Sequence, residues 1–187
     1  MNYWNGTSWV VVAATVNEAA TLQMISGVPT WTGGTPPNVT NPTTGEIWMD
    51  RNLGASQVAT SSTDAASYGD LYQWGSPQNT NLWQGVNGVN NPCPSGYRLS
   101  TETEWTAERT SWGSNNAAGA FASVLKLPVA GMRAYWNGSL GNVGSYGYYW
   151  SSTVVGTYSR VLYLDIPNAY MTGNGRAHVS SVRCLKN

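Results

Sequence analysis

The side chains best suited to binding a ligand lie in residues 127–187. This segment contains seven of the eleven tyrosines. They are densest in Tyr146-Gly147-Tyr148-Tyr149-Trp150. Tyrosine and tryptophan provide a large contact area at a low cost in conformational entropy, and each also carries a polar group. We therefore expect a ligand-binding surface in this region. Ordinary sheet surface is the alternative, because tyrosine also favours strands.

Groups that could carry out a reaction are scarce. His178 is the only histidine, and the sequence indicates no Ser-His-Asp or Cys-His arrangement around it. The glycines from Gly141 to Gly147 lack the following helix and the lysine of a phosphate-binding loop, so they predict turns. Two cysteines are too few for a thiolate metal site. We expect no enzymatic activity, no cofactor and no metal.

Composition excludes several classes of protein. Nine basic residues balance nine acidic ones, so there is no excess of positive charge for binding nucleic acid. The aromatic content of 12% is too high for a disordered chain. No apolar run approaches the length of a membrane span. The first residues, Met1-Asn2-Tyr3-Trp4, have neither the basic nor the apolar region of a signal peptide.

The N-terminal residues 1–36 are expected to form a small β-hairpin module. Asn5-Gly6 lies inside a β-rich run from Tyr3 to Val10, which is a strong hairpin signal. Ser26-Gly27 separates two further short strands. The break at residues 33–37 predicts a boundary, after which residues 37–187 form the second domain.

The first half of the second domain contains the predicted helices. Residues 46–50 alternate as a half-buried strand, and residues 64–74 have helical spacing. Residues 75–97 are rich in Asn, Gly and Pro and predict a loop. Thr101 and Glu104 form a capping box, so a helix should begin there, present Trp105 and Trp112 on one face and end at Gly113. Residues 117–125 predict a short second helix.

The last third of the chain changes to the period of strands. Strands are predicted over residues 146–153, 160–166 and 179–186, with turns at 156–157, 167–168 and 173–175. Leu162 and Leu164 fall on one face and should be core, whereas Val161, Tyr163 and Asp165 fall on the other. A strand, two helices and then an antiparallel sheet indicate an α+β fold.

Four segments resemble the signatures of a known family. The run Cys93-Pro94-Ser95-Gly96-Tyr97-Arg98-Leu99-Ser100-Thr101-Glu102-Thr103-Glu104-Trp105 is similar to the central motif of the bacterial major paralogous domain (FISUMP) family, apart from Ser100, where the family usually has proline. Residues 46–54, 150–153 and 181–186 resemble its other motifs. This family is a branch of the C-type lectin fold. The resemblance implies that fold for residues 37–187, pairing of strand 46–50 with strand 179–186, and a disulfide between Cys93 and Cys184, with two buried thiols as the alternative.

A second resemblance concerns the ligand. Residues 127–187 resemble the variable region of proteins diversified by retroelements that mutate adenines, in which Asn-type codons vary on the binding face and tryptophan codons stay fixed. Trp150 would then be scaffold. The ligand-binding residues implied are Ala134, Tyr135, Trp136, Gly141, Tyr146, Tyr148, Tyr149, Val155, Tyr158, Val161, Tyr163, Asp165, Tyr170, Thr172, Asn174, His178 and Ser180. The tyrosines and His178 are expected to be exposed and contiguous.

These resemblances imply a non-enzymatic receptor-recognition protein that binds a protein or glycan on a cell surface. Residues 1–36 resemble small modules that precede adhesive heads in phage fibres and bacterial surface proteins, and they could mediate homo-oligomerisation. The expected location is the bacterial surface, the extracellular space or a phage virion. A fixed adhesin or carbohydrate-binding module is the first alternative. A formylglycine-generating type of enzyme is more remote, because residues 132–136 lack the Arg-Gly-Gly-Ser-Trp stretch that such enzymes carry. We also expect no calcium site of the kind found in sugar-binding C-type lectins, since Ile166, which cannot ligate calcium, precedes Pro167-Asn168.

Overall fold

The computed structural model describes residues 2–4, 9–11, 21–25, 28–32, 37–74 and 91–187. The chain divides into two compact units, Met1–Pro37 and Asn38–Asn187.

The first unit contains two antiparallel strand pairs. Strand β1 (Asn2–Trp4) pairs with β2 (Trp9–Val11), and β3 (Thr21–Ile25) pairs with β4 (Val28–Thr32). Both pairs were predicted. The predicted turn residues, Asn5-Gly6 and Ser26-Gly27, lie outside the described residues.

In the second unit, one sheet contains strands from both the beginning and the end of that unit. Its strands, in spatial order, are β5 (Asn38–Thr40), β6 (Ile47–Met49), β15 (Cys184–Lys186) and β8 (Tyr97–Leu99). Leu185 lies opposite Trp48, and both side chains are fully buried. The expected pairing of strand 46–50 with strand 179–186 is confirmed for residues 184–186, whereas residues 179–180 form a separate strand in another sheet. Apolar burial stabilises this closure.

Two helices follow β8, namely α1 (Glu102–Thr110) and α2 (Ala117–Ala122). The predicted capping box begins α1: the Thr101 hydroxyl accepts the Glu104 amide at 3.2 Å, and the Glu104 carboxylate accepts the Thr101 amide at 2.7 Å. The helix ends at Thr110 rather than Gly113, so Trp112 lies beyond it but is still buried. Trp105 anchors α1 by donating its Nε1–H to the Trp150 carbonyl.

The sheet that carries most of the candidate site has three long antiparallel strands. They are β11 (Gly147–Val155), β12 (Tyr158–Leu164) and β13 (Ala169–Gly175). The predicted turn at 173–175 is wrong, because β13 runs through those residues and the turn falls at Arg176-Ala177. Gly175 lies opposite Tyr158, so pairing with β12 continues to the end of the strand.

A second small sheet lies beside it, in the order β10 (Leu140–Gly141), β9 (Met132–Arg133), β14 (Val179–Ser180) and β7 (Tyr72–Gln73). The predicted helix over 64–74 is wrong: only Ala65–Ser67 forms a 3-10 turn. Gly69 explains this, since its φ is +70° and a Cβ there would lie 2.4 Å from the Leu53 carbonyl oxygen.

The hydrophobic core lies between α1, α2 and one face of the three-stranded sheet. Leu162, Leu164 and Val182 are fully buried, as predicted. Trp48 packs on Trp105 with ring centroids 4.7 Å apart. The sulfurs of Cys93 and Cys184 are bonded to each other, with Cα atoms 5.8 Å apart. With two helices and antiparallel sheets, residues 38–187 form an α+β domain.

Candidate functional site

Three tyrosines lie side by side on the outer face of the three-stranded sheet. Tyr163 on β12 is directly opposite Tyr148 on β11 and Tyr170 on β13. The ring centroids are 5.4 Å apart for the first pair and 4.8 Å for the second. Tyr146, just before β11, lies 5.6 Å from Tyr163 and 6.5 Å from Tyr148. We call these four residues the tyrosine cluster.

The cluster forms because successive side chains along a strand point to opposite faces of the sheet. Tyr148, Tyr163 and Tyr170 point away from the core because the residues next to them in sequence point into it, namely Tyr149, Leu162, Leu164 and Ala169. Tyr170 is exposed, and the other cluster residues are partly exposed. Cross-strand aromatic pairs stabilise a sheet by up to about 1 kcal/mol each, so the rings hold one another in place.

Hydrogen bonds orient two of the phenol groups. Tyr163 donates its hydroxyl to the Asp165 carboxylate at 2.9 Å. The Tyr148 hydroxyl accepts the Asn142 side-chain amide at 3.1 Å. Desolvation, followed by the bond to Asp165, raises the pKa of Tyr163, and desolvation also raises that of Tyr148. Both phenols are therefore neutral at physiological pH and can donate or accept hydrogen bonds.

Beyond the tyrosine cluster, the same face of the sheet is covered by other parts of the protein. Val161 is fully buried although it lies two residues from Tyr163. Its cross-strand neighbour Trp150 is also fully buried and donates its Nε1–H to the Tyr72 carbonyl, which brings β7 over this part of the sheet. The open part of the face is thus the end that carries the tyrosine cluster.

A second aromatic group, which we call the aromatic trio, consists of Tyr135, Trp136 and His178. The three rings contact one another edge to face, with centroids 5.0 to 5.3 Å apart and interplanar angles of 84° to 89°. Tyr135 and Trp136 are 62% and 63% exposed, whereas His178 is buried beneath them. Among the described residues no ring contact joins this trio to the tyrosine cluster.

Within the trio, His178 supports the two exposed rings from below. It makes a hydrogen bond to the Arg133 backbone, and its Nδ1 is buried without a hydrogen-bond partner. Burial lowers the pKa of His178, partly offset by the bond to Arg133. The imidazole is therefore neutral at pH 7, and its expected exposure is wrong.

A groove of about 450 Å³ lies between residues 68–71, which follow the 3-10 segment, and the β9–β10 hairpin. Its lining residues are Tyr68, Gly69, Asp70, Leu71, Ala130, Arg133, Leu140 and Val143. The loop that follows β10 separates this groove from the tyrosine cluster: Val143 faces the groove, and Asn142 holds Tyr148.

Five of the predicted binding residues are buried and cannot contact a ligand in this conformation. They are Ala134, Tyr149, Val161, His178 and Ser180. Tyr149 points inward because it alternates with Tyr148, and its hydroxyl donates to the Pro128 carbonyl. Ser180 lies on β14, between β9 and β7.

Two other predicted residues are exposed but distant from the tyrosine cluster. Val155 and Tyr158 face each other at the turn that joins β11 to β12. Tyr158 lies five residues from Tyr163 along β12, roughly 17 Å of extended strand. The expectation of a single contiguous face for all eight tyrosine and histidine side chains is therefore wrong. Gly141, Asp165, Thr172 and Asn174 are partly exposed.

Sequence reasoning missed the residues that frame the site. Asn142 has a φ of +60°, and its side chain holds Tyr148. Asparagine between Gly141 and Val143 was a usable signal, because it tolerates left-handed backbone better than most residues. Asp70, Arg133, Leu140 and Val143 gave no local signal, since only the tertiary fold brings them around one groove.

No group of three or more His, Cys, Asp or Glu side chains within the described ranges is arranged to hold a metal ion. Within the same ranges, no helix is long and apolar enough to cross a membrane.

Comparison with protein-family models, with curated proteins and with solved structures found no match to this chain.

Proposed function

We propose that residues 38–187 form a non-enzymatic ligand-binding domain that recognises a macromolecule on a cell surface. The observation that carries this proposal is the tyrosine cluster: Tyr148, Tyr163 and Tyr170 are direct cross-strand neighbours on an outward face, with Tyr146 beside them. The hydrophobic core does not explain the presence of these tyrosines, because none of the four belongs to it. Rigid tyrosine rings provide contact area with little loss of side-chain entropy on binding.

Within the α+β class, we propose a C-type lectin-like fold for this domain. It is supported by the pairing of the early strand β6 with the last strand β15, by the Cys93–Cys184 disulfide and by the packing of α1 on the three-stranded sheet. The motif resemblance to the bacterial major paralogous domain family points the same way. We accordingly place the domain on a bacterial surface, in the extracellular space or on a phage virion.

Diversification by a retroelement is the form of this function that we favour. Several of the implied variable positions alternate in sequence, at Tyr163 and Asp165 around the end of β12 and at Tyr170, Thr172 and Asn174 along β13. None of these residues is buried. Substitution at such positions changes the surface without creating a cavity in the core. An adjacent reverse transcriptase gene and a near-repeat of the 3′ coding end should accompany the coding sequence. Without them, a fixed adhesin or carbohydrate-binding module is the better description.

A paired screen tests the binding function. The full chain is offered to an array of glycans and to a phage-displayed library of random linear peptides. The Tyr148→Ser/Tyr163→Ser/Tyr170→Ser variant is screened in parallel. Tyr158→Ser is the matched control, because Tyr158 is exposed but lies outside the cluster. We expect binders that recognise the wild type and Tyr158→Ser but not the triple variant. Equal binding to all three proteins would refute the proposed site.

A further inference from the structure

Exposed apolar side chains are concentrated around the β9–β10 hairpin. Nine large hydrophobic side chains of the described residues are exposed, and four of them lie within residues 135–143: Tyr135, Trp136, Leu140 and Val143. Leu140 and Val143 are 54% and 45% exposed and line the groove. Contiguous apolar surface on a folded domain marks a site of interaction.

The hairpin that presents these residues is held in a defined shape. Arg133 donates from Nη1 to the Gly138 carbonyl at 2.6 Å, and the Asn137 side chain accepts the Ser139 amide at 3.0 Å. Gly131 allows the following loop to approach closely, since a Cβ there would lie 2.4 Å from the Gly141 carbonyl oxygen. A surface already fixed before binding loses little conformational entropy when a partner arrives.

Asp70 and Arg133, which line the groove with opposite charges, do not form an ion pair with each other. The described residues contain three ion pairs, and neither Asp70 nor Arg133 belongs to them. Asp70 is exposed at the groove, and nearby protein atoms still desolvate its carboxyl enough to raise its pKa. A cation from a ligand would compensate that loss of hydration.

The rest of the groove suits an aliphatic group better than a sugar. Leu71, Ala130, Leu140 and Val143 present only carbon at their side chains. Sugar hydroxyls placed against them would lose hydrogen bonds to water without gaining protein partners, at a cost for each group. An aliphatic side chain would instead gain buried apolar area.

We infer that the ligand is a protein, and that it inserts an aliphatic side chain into this groove with a neighbouring lysine or arginine on Asp70. This inference rests on the proposed function and narrows it from protein or glycan to protein. The groove and the tyrosine cluster share the loop that follows β10, through Val143 on one side and Asn142 on the other. One partner can therefore cover both.

The test uses phage-displayed random linear peptides as the probe. Peptides are selected on the immobilised full chain and depleted on the Leu140→Ser/Val143→Ser variant. The expected consensus places Lys or Arg next to Leu, Ile, Val or Met. Binding of the selected peptides should weaken about tenfold with the nearly isosteric Asp70→Asn, the loss expected for one charge-assisted hydrogen bond. Val124→Ser is the control, since Val124 is exposed but does not line the groove.

Several outcomes would overturn the inference. One is a consensus without basic residues, and another is affinity unchanged by Asp70→Asn and by the double serine variant. Failure to enrich any peptide over the depleted background would also overturn it, as would binders found only among glycans.

The triple tyrosine variant separates this inference from the proposed function. Binding lost with the tyrosines but insensitive to the groove variants would leave the proposed function intact and refute the groove. Binding lost with the groove variants but insensitive to the tyrosines would refute the tyrosine cluster as the site and retain the groove.

Discussion

Tyr163 lies directly opposite Tyr170 on the neighbouring strand, with ring centroids 4.8 Å apart. The two rings belong to an outward sheet face whose other tyrosines, Tyr146 and Tyr148, both contact Tyr163. Tyr163 is thus the centre of the cluster. Changes to its surroundings should report on the whole site.

Asp165 should contribute to the raised pKa of Tyr163. Desolvation is the largest cause of the raised pKa of Tyr163, and Asp165 adds to it, because its carboxylate accepts the phenol hydrogen bond and its negative charge opposes formation of the phenolate. Asp165→Asn removes the charge and should lower the pKa of that phenol. The pH titration of the Tyr163 ring carbon by NMR measures this. A titration midpoint that is unchanged or higher in the variant would be incompatible with the observed geometry.

The aromatic trio predicts a pH dependence of stability. Burial lowers the pKa of His178 below its ordinary value of 6.5. As the pH falls through about 6.5, the unfolded chain takes up a proton that the folded protein does not, so the free energy of unfolding decreases until the pH passes the folded pKa. His178 is the only histidine, so its single Hε1 resonance gives the folded pKa directly.

We expect that resonance to titrate below pH 6.5, and the loss of stability between about pH 7.5 and about pH 5.5 to be smaller in His178→Gln. A midpoint at or above 6.5 would contradict the buried, neutral imidazole.

The capping box predicts a local effect on stability without an effect on binding. Thr101→Ala removes the hydroxyl that accepts the Glu104 amide and should lower the free energy of unfolding by about 1 kcal/mol. Thr103→Ala is the control, because Thr103 is exposed in the first turn of α1 and does not cap it. Denaturant titration gives both values. Weaker ligand binding by a fully folded Thr101→Ala protein would show that α1 belongs to the site.

The disulfide should contribute more to the free energy of unfolding than the capping box does. Cys93 and Cys184 are 91 residues apart in sequence, and a cross-link of that span stabilises by about 4 to 5 kcal/mol in the chain-entropy model. The oxidised, denatured protein should show no reactive thiols. Reduction should shift the unfolding midpoint to lower denaturant concentration. Two reactive thiols before reduction would contradict the bridge.

Local signals in the sequence predicted local structure well. The Thr101–Glu104 capping box and the inward positions of Leu162 and Leu164 depend on neighbouring residues, so spacing alone was sufficient. Residues 64–74 failed because the approach of Gly69 to the Leu53 carbonyl is a tertiary contact. Strand 169–175 was missed because its pairing with β12 outweighed the turn preference of Gly173 and Gly175.

The sequence indicated which residue types form the tyrosine cluster but not how they are arranged. Tyr148 and Tyr149 are adjacent and chemically identical, yet one is part of the outer cluster and the other is fully buried. Only the register of β11 on the core distinguishes them, and a shift of one residue would exchange their roles. Asp70 and Leu140 could not be paired from the sequence, because the groove between them forms only when distant segments meet.

The dissociation constant of the Tyr148→Ser/Tyr163→Ser/Tyr170→Ser variant for a ligand selected on the wild type tests the central claim most directly. Measurement well below the unfolding temperature, beside Tyr158→Ser, separates binding from folding. We expect the triple variant to unfold cooperatively and to bind at least about a hundredfold more weakly, because buried tyrosines dominate binding energies at interfaces. Tyr158→Ser should bind like the wild type. A folded triple variant that keeps wild-type affinity would contradict the assignment of the tyrosine cluster as the binding site.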